Sequence, residues 1–302
     1  MSTQQRSGAG RPAAPPPVAA RPPDPPAAPA AEPAVPRAGG LRSWLGSLPD
    51  AVFGVLGVLL FAGLLEALPR VGVVSADYLP PFSDMIGALA EEAGESAFWT
   101  ALLDTLRGWA YGLAIASALG VLLGLLIGSF DLLRRITAST IEFLRPIPSV
   151  ALIPLAVLVY GTGLESTLLL VVYAALWPVL LQTLAGVRDV DPVARDTAAS
   201  YGFTPWARLR YVVWPTALPY LMTGLRLSAS VALILAVSSE LIIGSPGLGS
   251  EIARAQSSNA VARMYALVLV TGALGVCVNV LARVLERRVL SWHTSVRTEA
   301  AT

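Results

Sequence analysis

The stretch TALLDTLRGWAYGLAIASALGVLLGLLIG at residues 100–128 decides the fold class. It is longer than the roughly 20 apolar residues that an α-helix needs to cross a bilayer. Small residues recur in it every four positions, at Gly108, Gly112, Ala116, Gly120, Gly124 and Gly128. This period places them on one helix face, where another helix backbone can approach closely. We predict a transmembrane helix with a tightly packed face; because such faces are common in membrane bundles, the pattern indicates packing rather than a function.

Five further apolar runs surround this helix. They predict spans at about 51–68, 139–160, 165–186, 217–243 and 264–284. The whole chain is 55% hydrophobic and 14% charged, with a mean hydropathy of +0.65. We therefore predict an all-α membrane protein with about six transmembrane helices. Between the first two spans, the apolar residues Met85, Ile86 and Leu89 favour a short interfacial helix over Phe82–Ala93.

The composition excludes several classes of protein. All 21 basic residues are arginine, and a chain without lysine has no Walker A loop and no lysine Schiff base. Cys277 and His293 are single residues of their types, which argues against a disulfide, a metal site or a catalytic triad. With 20 acidic residues opposing the basic ones, the chain is not a bulk basic nucleic-acid binder. We expect no catalytic, cofactor-binding or metal-binding residues and no nucleic-acid partner.

The arginines predict the orientation of the chain in the membrane. If the N-terminus lies inside, fifteen arginines fall in inner segments and three, Arg70, Arg254 and Arg263, in outer segments. The positive-inside rule then places both termini in the cytoplasm. Residues 1–45 form a Pro/Ala-rich tail that we expect to be disordered. Residues 46–290 are predicted to be the membrane domain, and 291–302 a cytoplasmic C-terminal tail.

The longest inner loop, residues 187–216, carries signals for two short helices. Asp191 is an N-cap candidate, Pro192 occupies the first helical position and Gly202 ends the first helix. Thr204 and Pro205 then start a second helix. We call this pair of helices the knuckle and predict that it projects into the cytoplasm. The residue pattern alone also allows, as the lesser alternative, a packing or re-entrant loop that has no partner.

Within the knuckle, Asp196-Thr197-Ala198-Ala199-Ser200-Tyr201-Gly202 is followed after nine residues by Val212-Val213-Trp214-Pro215. This resembles the EAA signature of ABC-importer permeases, Glu-Ala-Ala-x-x-x-Gly, nine residues, Ile-x-Leu-Pro. The spacing is kept, while Asp196, Thr197 and Trp214 depart from the pattern. Six other motifs, in order along the chain, resemble the nitrate/sulfonate/taurine branch: Tyr78-Leu79-Pro80-Pro81, Thr105-Leu106-Arg107, Leu144-Arg145-Pro146-Ile147-Pro148, Tyr160-Gly161-Thr162-Gly163, Ser239-Glu240 with Gly247-Leu248-Gly249, and Leu285-Glu286-Arg287-Arg288 near Trp292.

The resemblance implies a MetI-like permease core in a bacterial inner membrane. Such permeases pair as two copies, most simply a homodimer, sit on two cytoplasmic ABC ATPase subunits and receive a small solute from an extracytoplasmic binding protein. The chain itself is then not an enzyme. The resemblance assigns contact with the ATPase to the knuckle residues Asp196, Thr197, Ala198, Gly202 and Phe203. The alternative is an ion-coupled secondary transporter, which predicts matched inverted repeats.

Ionisable residues inside the predicted spans are candidates for the transport pathway. Asp104 and Arg107, and likewise Glu142 and Arg145, have the spacing of an ion pair on one helix. Glu240 has no basic residue three or four positions away, so its partner lies on another helix or in a watery path. We predict a pathway or gating role for Glu240, Ser239 and Arg145. The alternatives are structural hydrogen bonding for Glu240 and an ion pair with Glu142 for Arg145.

Overall fold

A computed structural model describes residues 50–291, so the predicted tail at 1–45 and His293 lie outside the described residues. Every regular element in this range is helical. The α-helices are α1 Asp50–Arg70, α2 Phe82–Ala93, α3 Ser96–Ser129, α4 Asp131–Leu144, α5 Ile153–Tyr160, α6 Leu164–Arg188, α7 Pro192–Ser200, α8 Pro205–Arg208, α9 Trp214–Ile243, α10 Leu248–Ser257 and α11 Val261–Val289. A 3₁₀-helix covers Ser149–Leu152 and a π-helix covers Leu209–Val213. The packing described below is that of the unit beginning at Gly54.

The described residues hold five helical segments long and apolar enough to cross a membrane. The third predicted span, over 139–160, is not one continuous helix. Instead, α4 ends at Leu144, and the chain resumes at Ser149 with a bend of 84°. Pro146 and Pro148 explain the break, because proline cannot donate a backbone hydrogen bond and disfavours helix in the preceding residue. The bundle has six spans if this bent pair is counted as one.

The small-residue face of α3 packs along α6, as predicted. A β-carbon at Gly112 would lie 2.4 Å from Val171 Cγ1, and one at Gly124 would lie 2.6 Å from Thr183 Cβ. The pairs keep one four-residue period on both helices: Gly112 with Val171, Gly120 with Val179, Gly124 with Thr183 and Gly128 with Val187. Because residue numbers rise together in these pairs, α3 and α6 run parallel, with their N-terminal ends at the same end of the bundle.

Helix α9 completes the core by packing against both α3 and α6. Ser228 Oγ donates a 2.6 Å hydrogen bond to the carbonyl of Ala175 on α6. Trp109 Nε1 on α3 donates a 2.9 Å bond to the carbonyl of Ala229. The centre of this three-helix packing is fully buried and made mainly of small residues, among them Ala116, Ala175, Ala232 and Ala236. Close approach of helices through small residues is the usual source of packing energy in a bilayer.

The fifth predicted span starts earlier than its apolar run at 217–243. The helix is continuous from Pro205 to Ile243, 39 residues, through the π-helix at Leu209–Val213. Pro215 is accommodated because it occupies the first turn of α9, directly after the π-helix, where a missing backbone donor is tolerated. The second knuckle helix is therefore the first turn of a long transmembrane helix.

The predicted helix between the first two spans is α2, with the bounds expected. Met85 is buried, whereas Ile86 is exposed. Glu92 on α2 forms an ion pair with Arg263 on α11, with 2.5 Å between Glu92 Oε1 and Arg263 Nε. Arg263 also lies 3.4 Å from Glu251 on α10. These charges join three helices at the end of the bundle where α3 begins.

Candidate functional site

The knuckle forms as its sequence signals predict. The carboxylate of Asp191 accepts a 2.8 Å bond from the amide of Val193, and the hydroxyl of Thr204 accepts a 3.2 Å bond from Ala207. Gly202 has a φ of +73°. The amide of Phe203 bonds to the carbonyl of Ala198 at 3.0 Å, and the amide of Gly202 bonds to Ala199 at 3.0 Å. This pair of bonds is a Schellman motif, which ends a helix with a left-handed residue.

The knuckle presents a mixed polar and apolar surface. Asp196 and Thr197 are exposed, and no ion pair of Asp196 occurs among residues 50–291. Tyr201 is 80% exposed and Trp206 70% exposed. By contrast, Ala198 is only 7% exposed, so it faces its own chain and supports the helix rather than meeting a partner directly. An exposed aromatic pair beside an unpaired carboxylate is the composition of a protein-binding surface.

The knuckle is attached to two transmembrane helices. Arg195 on α7 donates to the carbonyl of Val187 at the end of α6, at 3.3 Å. Tyr220 on α9 donates a 2.8 Å bond to the carboxylate of Asp189, which follows α6. The second helix of the knuckle, α8, runs without interruption into α9. A force on the knuckle therefore acts directly on α6 and α9.

Glu240 lies at the far end of α9 and is 1% exposed. Its Oε2 accepts a 2.8 Å hydrogen bond from the hydroxyl of Thr105 on α3 and a 3.1 Å bond from the amide of Gly249 on α10. Thr105 in turn accepts a 2.8 Å bond from the amide of Leu248. The first amides of a helix have no partner within the helix. Two other helices, α9 and α3, supply those partners for α10.

The loop before α10 is shaped around this carboxylate. Gly247 has a φ of +152°, and a β-carbon there would lie within 2.5 Å of the Glu240 carboxylate oxygens. A β-carbon at Gly249 would lie 2.3 Å from the carbonyl of Val237. Both positions therefore require glycine. The hydroxyl of Ser245 in the same loop lies 2.9 Å from the hydroxyl of Thr167 on α6. The loop and the start of α10 therefore contact all three core helices, α3, α6 and α9.

The other two predicted pathway residues do not join Glu240. Ser239 is buried, but its hydroxyl donates to the carbonyl of Ala236 on its own helix at 2.9 Å. Arg145 lies at the opposite end of the bundle, beside the C-terminal part of α6. Within the described range Arg145 forms no ion pair with Glu142, the alternative that their spacing allowed. The Asp104–Arg107 pair is confirmed, at 3.0 Å.

Sequence reasoning missed Thr105 as a functional candidate. It lies in the motif Thr105-Leu106-Arg107, but its partners Glu240 and Leu248 are more than 130 positions away in the chain. A threonine in an apolar helix is unremarkable by itself, because its hydroxyl can bond to its own helix. The joint occurrence of Ser239-Glu240 and Gly247-Leu248-Gly249 was the available signal, and the structure shows that these motifs form one site.

Comparison with known proteins agrees with this architecture. The family model of the binding-protein-dependent transport system inner membrane component matches residues 117–291. The taurine transport system permease protein TauC of Escherichia coli (strain K12) is 32% identical over 249 residues, covering 81% of this chain and 90% of TauC. The putative aliphatic sulfonates transport permease protein SsuC of Bacillus subtilis (strain 168) is 27% identical over 242 residues, covering 80% and 88%.

A solved structure shows the same fold. A chain of the MetNI methionine ABC transporter in an inward facing conformation has a TM-score of 0.52 at 21% identity, covering 68% of this chain and 97% of that chain. Permeases of this family are subunits of ABC importers that work with a separate ATPase and a solute-binding protein. This decides against an ion-coupled secondary transporter. The chain belongs to the binding-protein-dependent transport system inner membrane component family and is a multi-pass permease subunit of an ABC importer, not an enzyme.

Proposed function

We propose that this permease, paired with a second identical copy, forms the pathway for a small solute that carries an oxyanion group, of the sulfonate, taurine or nitrate type. The observation that carries the coupling part of the proposal is the knuckle, an exposed surface attached to two core helices. The names of the relatives TauC and SsuC support the solute class. Their coverage of about four fifths of this chain supports transfer of the whole transport role rather than of one motif.

The knuckle, within residues 187–216, docks on the ATPase. Asp196 and Thr197 are exposed and meet the ATPase directly, while Gly202 and Phe203 fix the turn and Ala198 packs the docking helix on its own chain. Closure of the two ATPase subunits then displaces the knuckle, and α6 and α9 move with it. In this orientation both termini, including the Pro/Ala-rich residues 1–45 and residues 291–302, lie in the cytoplasm.

Glu240 acts in gating rather than in solute recognition. Its carboxylate holds the start of α10 against α3 and α9, and Ser239 secures the same stretch of α9. A carboxylate repels the oxyanion group that the proposed solutes share. Movement of α9 relative to α3 breaks the Thr105–Glu240 bond and releases α10. Opening of the permease at the end where α3 begins is thereby linked to closure of the ATPase subunits at the knuckle end.

Reconstitution with the neighbouring ATPase and binding protein tests the proposal. We expect ATPase activity to rise when the binding protein is loaded with taurine, an alkanesulfonate or nitrate, and not with a carboxylate amino acid of similar size, such as β-alanine. Stimulation by the carboxylate amino acid alone would overturn the solute class. An ATPase that fails to co-purify with the wild-type chain would overturn the proposed docking, whichever solute is present.

A further inference from the structure

A cavity of about 560 Å³ lies between the C-terminal ends of α3 and α6 and the length of α4. Three arginines line it, Arg134, Arg145 and Arg188, together with one acidic residue, Glu142. It is at the knuckle end of the bundle, because α3 and α6 both end there. Arg145 is a pathway candidate predicted from the sequence, whereas Arg134, Arg188 and the cavity itself have no part in the proposed transport role.

The charge of the cavity is not balanced by the chain itself. Arg134 is paired with Asp131 at 2.8 Å. Arg145 and Arg188 form no ion pair within residues 50–291, and Glu142 is unpaired within the same range. The arginines therefore leave a net positive charge that an anion from outside the chain can neutralise. Arg is suited to phosphate, because its planar guanidinium makes two parallel hydrogen bonds to one oxyanion.

The remaining wall of the cavity is apolar and includes Ile127, Ile141, Leu181 and Leu184. The outer side of α4 is also apolar, with Leu132, Ile136 and Phe143 exposed. With charged residues on one side and these apolar residues on the other, α4 has the composition of an amphipathic helix. The site thus combines positive charge with an apolar wall at the end of the bundle that the proposed orientation places in the cytoplasm.

We propose that this cavity binds the phosphodiester headgroup of an anionic phospholipid from the cytoplasmic leaflet. Basic pockets between transmembrane helices on the cytoplasmic side favour such lipids. A small oxyanion would leave most of the volume empty, since cavities of about 300–1,000 Å³ hold molecules of drug size. The inference rests on the orientation in the proposed function, but not on the identity of the solute or on coupling to the ATPase.

Lipid binding to the purified full-length chain in detergent, measured by native mass spectrometry, tests the proposal. We expect phosphatidylglycerol to bind more tightly than phosphatidylcholine of the same acyl chains. Arg145→Gln and Arg188→Gln should each weaken the binding of phosphatidylglycerol about fivefold. This is the equivalent of about 1 kcal/mol for one basic residue near a membrane surface. The variant with both arginines changed to glutamine should bind phosphatidylglycerol about 25-fold more weakly. The variant with both changed to lysine should keep the preference for the anionic lipid.

Arg135→Gln is the matched control, because Arg135 is the neighbouring arginine on α4 and does not line the cavity. Leu184→Trp fills the cavity without changing its charge and should also weaken lipid binding. Equal binding of the two lipids, or equal losses in Arg135→Gln and Arg145→Gln, would overturn the proposal. Displacement of the lipid by millimolar inorganic phosphate would show a free-anion site instead. Since no ATPase or binding protein is present, these results are independent of the transport assay.

Discussion

The left-handed turn at Gly202 allows a sharp test of the knuckle. Its φ of +73° lies in the region that L-residues with a β-carbon avoid, while a β-carbon there would meet no atom within 4 Å. A substitution therefore changes backbone energy without a steric clash. For alanine the cost of the left-handed conformation is about 1–2 kcal/mol. Asparagine tolerates this conformation better, as Asn259 shows at φ 55° in this chain.

The chain supplies a matched control at Gly72. Its φ is +79°, and it too has open space around the position of a β-carbon. The amide of Val73 bonds to the carbonyl of Leu68, and that of Gly72 to Pro69, the same two-bond pattern as at Gly202. Gly72→Ala thus imposes the same backbone cost at the end of α1, away from the knuckle. The two variants separate a cost in folding from a loss of coupling.

The assay is solute-stimulated ATPase activity in proteoliposomes containing the permease, its ATPase and the binding protein. A penalty of 1–2 kcal/mol lowers the population of the native turn relative to its alternatives by about 5- to 30-fold. We expect coupling to fall in the order glycine, asparagine, alanine, valine at position 202. Gly72→Ala should insert and couple as the wild type does. Wild-type coupling in Gly202→Ala, or an equal loss in Gly72→Ala, would refute the assignment.

Four further predictions follow from the contacts described. Glu240→Gln should keep solute preference and stability while changing the transport rate. Glu240→Ala leaves two buried donors unpaired, the Thr105 hydroxyl and the Gly249 amide, at a cost of about 1–3 kcal/mol for each. It should therefore lower the thermal unfolding midpoint, and equal midpoints for the two variants would contradict this. Gly120→Val should destabilise the bundle by about 1–3 kcal/mol through overpacking against Val179, measured against Gly57→Val, whose site is open. Asp196→Ala should weaken co-purification of the ATPase while Asp196→Glu retains it; full retention by both would argue against a docking charge. In a Cys277→Ser background, Trp206→Cys should be labelled from inside and Ala90→Cys from outside; the reverse would invert the topology.

Local signals in the sequence determine much of the fold. The four-residue period of glycines in α3 needs only its own helix to be recognised, and it predicts the face that packs on α6. The caps at Asp191 and Thr204 and the turn at Gly202 are equally local, because each involves atoms within about five residues. For this reason the bounds of the knuckle could be predicted closely. The parallel arrangement of α3 and α6 also follows from the order of the spans.

The errors arise where local patterns compete or where partners are distant in the chain. Hydropathy alone favours one span over 139–160, yet Pro146 and Pro148 remove the hydrogen bonds that a straight helix needs there. Conversely, Pro215 suggests a helix boundary, but the helical segment continues through this position by way of the π-helix before it. The partners of Glu240 are supplied by α3 and α10, and a single sequence contains no information on which of several threonines faces that carboxylate.

The continuity of the helix from Pro205 to Ile243 places both candidate sites on one element. At 1.5 Å per residue, its 39 residues extend about 58 Å, nearly twice the roughly 30 Å of a bilayer's apolar core. The knuckle and Glu240, about 52 Å apart along the same axis, therefore cannot both lie within the apolar core. The knuckle and Glu240 are linked through one continuous helix. The π-helix at Leu209–Val213 lies between the docking turn and the apolar part of that helix, and such a π segment is where a helix bends.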